Sequence, residues 1–165
     1  ASPDHPPQVQ RAACLALGSL LADNYNVIKR LIATKPPEMD DELVQKCGGL
    51  GVLLVLVRDA RPDPGTLQKA GGDSAWDEVA MAVEAAVQAI SSACFVNPGG
   101  GLFGQRASRR GMEKVALSMG RPGLLILKDL TRVPVKSSGG KRATQEAVRF
   151  ARLCSEGLEA AFGIS

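Results

Sequence analysis

Val9-Gln10-Arg11-Ala12-Ala13-Cys14-Leu15-Ala16-Leu17-Gly18-Ser19-Leu20-Leu21 decides how the rest of this 165-residue chain is read. Its apolar residues Val9, Ala12, Ala13, Ala16, Leu17, Leu20 and Leu21 recur three and four apart, the spacing of one continuous stripe on an α-helix. Much of the stripe is alanine. Small side chains let a neighbouring helix approach closely, so this face expects helices against it rather than a sheet.

The pattern returns downstream. Ala16-Leu17-Gly18-Ser19 aligns with Ala89-Ile90-Ser91-Ser92 at an offset of 73 residues (16 to 89). Between them lies Cys47-Gly48-Gly49-Leu50-Gly51-Val52-Leu53-Leu54-Val55-Leu56, echoed by Met119-Gly120-Arg121-Pro122-Gly123-Leu124-Leu125-Ile126-Leu127 at an offset of 72 (51 to 123). Two different elements recurring in one order at nearly one offset indicate an internal repeat. A third alanine-striped helix closes the chain with Ala147, Phe150, Ala151, Cys154 and Leu158. The expected fold is all-α, with roughly seven or eight helices and no sheet. Ala13, Ala16, Ala86 and Ala89 are expected to be buried where the long helices meet.

These residues resemble an armadillo repeat, with the HEAT-type helical repeat as its near relation. Pro7-Gln8-Val9-Gln10 with Ala16-Leu17-Gly18-Ser19-Leu20 is similar to the long third helix of that repeat. Lys46-Cys47-Gly48-Gly49-Leu50 with Val52-Leu53-Leu54 is similar to its turn from first to second helix. The offset here exceeds the family's period of about 42 residues, so loop insertions are expected. The resemblance implies a right-handed α-solenoid: a third helix of a partial repeat over 1–24, a second repeat over 25–97 and a third over 98–165. A chain that starts on a third-type helix, without Met, is expected to be a fragment or subunit of a larger assembly.

Composition agrees with a helical core. Hydrophobic residues make up 45% and aromatics only 4%, whereas sandwich strands favour aromatic and β-branched side chains. A net charge of +3 is too mild to indicate nucleic acid by itself. Cys14, Cys47, Cys94 and Cys154 stand too far apart for a zinc ligand set or a redox dithiol. Each reads as a small buried hydrophobe, which points to the cytoplasm or another reducing compartment, cytoskeletal or ciliary assemblies included. No apolar run is long enough to span a membrane.

Along the chain, the first long helix is expected to reach about Asp23, with Asn24-Tyr25-Asn26 breaking it. Val27, Ile28, Leu31 and Ile32 suggest a short helix stopped by Thr34-Lys35-Pro36-Pro37. Asp40-Asp41-Glu42 is an acidic helix start. The apolar run Val52 to Val57 has a length that fits a buried strand or a buried helix, and the repeat decides for helix. Asp73-Ser74-Ala75-Trp76-Asp77 caps the second long helix, Glu78 to about Phe95, with Trp76 as a staple. The third long helix runs from about Arg142 to Ala161. The basic, glycine-rich segments Gly99 to Gly111 and Val135 to Lys141 read as loops.

Enzymatic chemistry finds no support in the residues, and no cofactor or metal is expected. The single histidine, His5, lies in a proline-rich terminus, so a Ser-His-Asp or Cys-His centre lacks its base. Ser138-Gly139-Gly140-Lys141-Arg142 fails as a phosphate loop because Val135 stands where glycine is required and Arg142 replaces Ser or Thr. Asp40-Asp41-Glu42 has no further ligand spaced to join it.

The resemblance instead implies a groove along the third helices that binds other proteins. Arg11, Leu15 and Ser19 lie off the apolar stripe, and the offset carries them onto Glu84, Gln88 and Ser92, with Arg149 and Arg152 as counterparts on the last helix. Importin-type relatives carry Trp and Asn on this ladder to grip a basic peptide. Leu15 and Gln88 occupy the Trp places here and Ser19 and Ser92 the Asn places, which speaks against a basic nuclear-signal peptide, and the arginines at one end of the groove point toward an acidic or neutral protein partner, bound in the groove or end-on. The alternative is a polyanion (RNA, an anionic membrane surface or a microtubule) held by Arg106, Arg109, Arg110, Lys136, Lys141 and Arg142.

Overall fold

A computed structural model describes residues 6–22, 24–59, 73–94, 109–131 and 141–162, with the side chains of 73–78, 80, 109, 141–144 and 161–162 outside that description. The described residues form six helices and no strand: α1 (Pro7–Leu21), α2 (Tyr25–Ala33), α3 (Glu42–Asp59), α4 (Asp73–Cys94), α5 (Arg109–Leu130) and α6 (Lys141–Phe162). The all-α expectation holds, and the run Val52 to Val57 is helical and buried throughout. A helix that is apolar all round must be covered all round, and α3 has α2, α4 and α5 against it.

Local chemistry sets the helix ends. Pro7 opens α1 at a position where its missing N–H costs nothing. The Asn24 side chain accepts the Val27 N–H at 3.3 Å and caps α2. Asp41 accepts the Leu43 N–H at 2.9 Å at the start of α3, and Arg58 donates to the same carboxylate at 2.8 Å. That Arg58 contact is the main reason the Asp41 carboxyl is held below its usual range, with the Leu43 N–H adding to it and partial burial opposing both.

Asp41 precedes α3 and Arg58 lies in its last turn, and the 18 residues of that helix would stretch about 27 Å if straight. The two side chains meet because α3 folds back at Cys47 and Gly48, where Gly48 takes φ 57° and ψ −128°. The same break recurs in α5 at Gly120, with φ 59° and ψ −159°, and Pro122 follows it in the first turn of the new segment. The two breaks are 72 residues apart (48 to 120), the offset seen in the sequence. Counted as segments, α3 and α5 are each a pair of short helices.

Helices α1, α4 and α6 pack side by side in one row, α4 touching both neighbours, and α3 packs on α5 in a second row behind them. Helix α2 borders α1, α3 and α5. The core runs between the rows, and α4 is its centre, with Ala82, Val83, Ala85, Ala86, Val87, Ala89, Ile90, Ala93 and Cys94 all buried. Ala147, Phe150, Ala151, Cys154 and Leu158 form the buried face of α6, as their spacing predicts.

Three expectations are corrected. On α1, Ala16 is exposed rather than buried, as are Val9, Ala12 and Leu20, and Ala13 is only half-buried. The covered face is Cys14, Leu17, Gly18 and Leu21, because among the described residues α1 has a row neighbour on one flank only. Arg109 and Arg110 are not loop residues. They begin α5, whose next residues Gly111 and Met112 are buried and so draw the first turn into the helix. Lys141 likewise belongs to the first turn of α6, ahead of Arg142, where the helix was expected to begin, since Lys, Arg and Ala143 are good helix formers that extend the helix N-terminally. Arg106, Lys136 and most of both basic segments lie outside the described residues, as does the Trp76 side chain.

Candidate functional site: the groove between α1 and α4

Helices α1 and α4 approach through small residues. A Cβ placed on Gly18 would sit 3.6 Å from the Ala89 Cα and 3.7 Å from the Ser92 Oγ, so glycine leaves ordinary contact distance and little more. Beside this close approach the helices diverge into an open groove of about 300 Å³, lined by Cys14, Leu15, Gly18, Ser19, Ala85, Gln88, Ala89 and Ser92.

Four of the residues singled out in the sequence, Leu15, Ser19, Gln88 and Ser92, therefore lie on one groove. The 73-residue offset is visible in their hydrogen bonds. Ser19 donates to the Leu15 carbonyl at 3.2 Å and Ser92 to the Gln88 carbonyl at 3.0 Å. Both hydroxyls spend their proton on their own helix and offer lone pairs to the groove. One turn along α4, the Gln88 carboxamide donates to Glu84 Oε1 at 3.3 Å, which orients that carboxamide. Leu15 is 43% exposed, an uncovered apolar side chain on the α1 wall.

Arg149 and Arg152 do not join this groove. Arg149 donates to Glu146 at 2.8 Å and lies 4.5 Å from the Phe150 ring centroid. Arg152 lines a separate polar hollow of about 240 Å³ at the α5–α6 contact, beside Ser155, Glu156 and the ion-paired Lys128 and Glu159. Arg11 is exposed on α1, one turn before Leu15. Of the basic residues, Arg110 stacks over the Tyr25 ring at 4.2 Å, and Lys29 approaches the same ring at 5.6 Å. Sequence reading missed Tyr25, since nothing in a linear pattern announces a contact between α2 and α5. It also missed Cys14, Gly18, Ala85 and Ala89 as the groove floor, although the offset that pairs Ala16 with Ala89 contains the signal.

The groove chemistry suits binding. Burial pushes the Cys14 thiol on its floor up to about 11, so it stays protonated near neutral pH and is a poor nucleophile. The walls present methyl groups, hydroxyl lone pairs and the Gln88 carboxamide, which Glu84 orients from outside the lining. Among the described residues no group of three His, Cys, Asp or Glu is placed to hold a metal ion, and no helix is long and apolar enough to cross a membrane. Comparison with protein-family models, with curated proteins and with solved structures gave no match.

Proposed function

We propose that this chain is a non-catalytic, armadillo-like protein-binding scaffold that works as a subunit or part of a larger assembly. Its row of long helices holds a segment of a partner protein along the α1–α4 groove. The observation that carries the reading is the convergence of Leu15, Ser19, Gln88 and Ser92 on that groove. Helix breaks at Gly48 and Gly120, one offset apart, support the repeat. The groove walls hold apolar and neutral polar groups beside the Glu84 carboxylate, so the partner segment is one that inserts an apolar side chain against Leu15 and hydrogen-bonds to the Gln88 carboxamide and the serine lone pairs. Four unbridged thiols favour a reducing compartment.

A photo-cross-linking amino acid at Leu15 or Gln88, installed in the native host, tests this directly. Protein adducts are expected from both positions, weakly dependent on salt, and Gln88→Arg is expected to reduce those formed from Leu15. Adducts to nucleic acid, or none from either groove position, would remove the groove reading. A steep fall of binding with rising salt would favour the polyanion alternative.

A further inference from the structure

Helix α4, in the middle of the front row, packs on two faces. Helix α1 turns Gly18 toward α4, where it meets Ala89 and Ser92. The 73-residue offset carries Gly18 onto Ser91, and the Ser91 Oγ lies 3.0 Å from the Cys154 Sγ of α6. The forward face of one helix thus packs on the back face of the next, twice over. The back face of α4 includes Ala82, Ala85, Ala89 and Ala93, none more than 2% exposed.

Moved back by the same offset, these four alanines become Val9, Ala12, Ala16 and Leu20. All four are exposed, Val9 at 47% and Leu20 at 58%. An uncovered apolar ridge therefore runs the length of α1 at positions whose counterparts, one repeat later, lie under a helix. We propose that this back face of α1 docks one helix of another protein, and that the docking face of that helix is small and uncharged, like the Cys14–Gly18 face that covers α4.

Charge narrows the occupant. Arg11 is the one charged residue of α1, so a charged helix face laid on the ridge would bury its charges unpaired. Head-to-tail stacking of copies of this chain would lay the charged outer face of α6 on the ridge and is disfavoured. The free face of α6, opposite Cys154, exposes Arg149, Arg152 and Glu156, a polar outer surface of the kind that ends a helical row. The α1 end has no such surface. Ala12 and Ala16, one turn apart, allow the incoming backbone to come as near as Gly18 brings α1 to Ala89. This inference rests on the scaffold reading, but it uses the end of the row rather than the groove.

The test uses the full chain and a dye-labelled peptide with the sequence of residues 6–22, lysines added at both ends for solubility, because that sequence carries the face that covers α4. Fluorescence anisotropy is expected to show saturable binding, weakened at least about tenfold by Ala16→Glu or Leu20→Glu and unchanged by Gln88→Arg in the groove. Both glutamates replace exposed side chains, and unaltered thermal melts verify that the variants fold. No saturation at millimolar peptide, or binding indifferent to both glutamates, overturns the proposal. So does a dimer of the chain alone, seen by sedimentation velocity and dissociated by Ala16→Glu, since a second copy would then hold the face. Failure here with groove cross-links intact refutes the end contact alone, whereas loss of both refutes the scaffold reading.

Discussion

Gly48 and Gly120 share a backbone conformation but not a neighbourhood. Both have φ near +60° with strongly negative ψ, a region populated essentially by glycine, and any other residue held there stores about 1–3 kcal/mol of strain. A Cβ on Gly48 would also run into the backbone carbonyl oxygens of Ile32 and Thr34, which cannot move without shifting the end of α2. At Gly120 the nearest atom is the Lys46 Nζ at 2.8 Å, the tip of a flexible side chain that swings away. Gly120→Ala is therefore expected to cost the strain alone, and Gly48→Ala clearly more. Chemical denaturation of the two variants checks this, and equal losses would mean that α2 does not lean on the break in α3.

Among elements, α1 and α4 carry the same alanine pattern with opposite consequences. Ala89 is fully buried against Gly18, so Ala89→Leu must displace α1 and is expected to cost about 1–3 kcal/mol through overpacking. Ala16, its partner in the repeat, is exposed, and Ala16→Leu is expected to change stability by no more than about 0.5 kcal/mol. The melting temperatures of the two variants separate the faces, and a costly Ala16→Leu would show that the back face of α1 is already covered. Where both flanks of a helix are occupied, as for α4 and the apolar run in α3, the periodicity of the residues and their burial agree. At the end of a row they part company.

For the molecule as a whole, the four cysteines report on the core from four of its helices. Cys14, Cys47, Cys94 and Cys154 are all fully buried and unbridged. Burial raises Cys14 and Cys47 to about 11, while a hydrogen bond to Cys154 and burial raise Cys94. Thiols that are both inaccessible and protonated react slowly; Cys154, which the hydrogen bonds from Cys94 and Ser91 shift down instead, is kept from reagents by its complete burial. A disulfide reagent at neutral pH is expected to titrate almost none of them in the native chain and all four after denaturation. Rapid labelling of one thiol under native conditions would mark the helix that opens first.

The residues alone determined the helical class, the breaks at Gly48 and Gly120, and the buried faces of α4 and α6, because each follows from local spacing and backbone chemistry. They also determined that Leu15 and Ser19 share a register with Gln88 and Ser92, since a repeat offset is a property of the chain. Which half of the α1 stripe is covered was left to the tertiary structure. A stripe that wide offers two faces, and only the presence of α4 on one flank, with no described helix on the other, chooses between them. The same holds for Arg110 on Tyr25, and for Ser91, Cys94 and Cys154 meeting in the core. Such contacts join residues remote in sequence, and no local free-energy preference encodes them until the rows have packed.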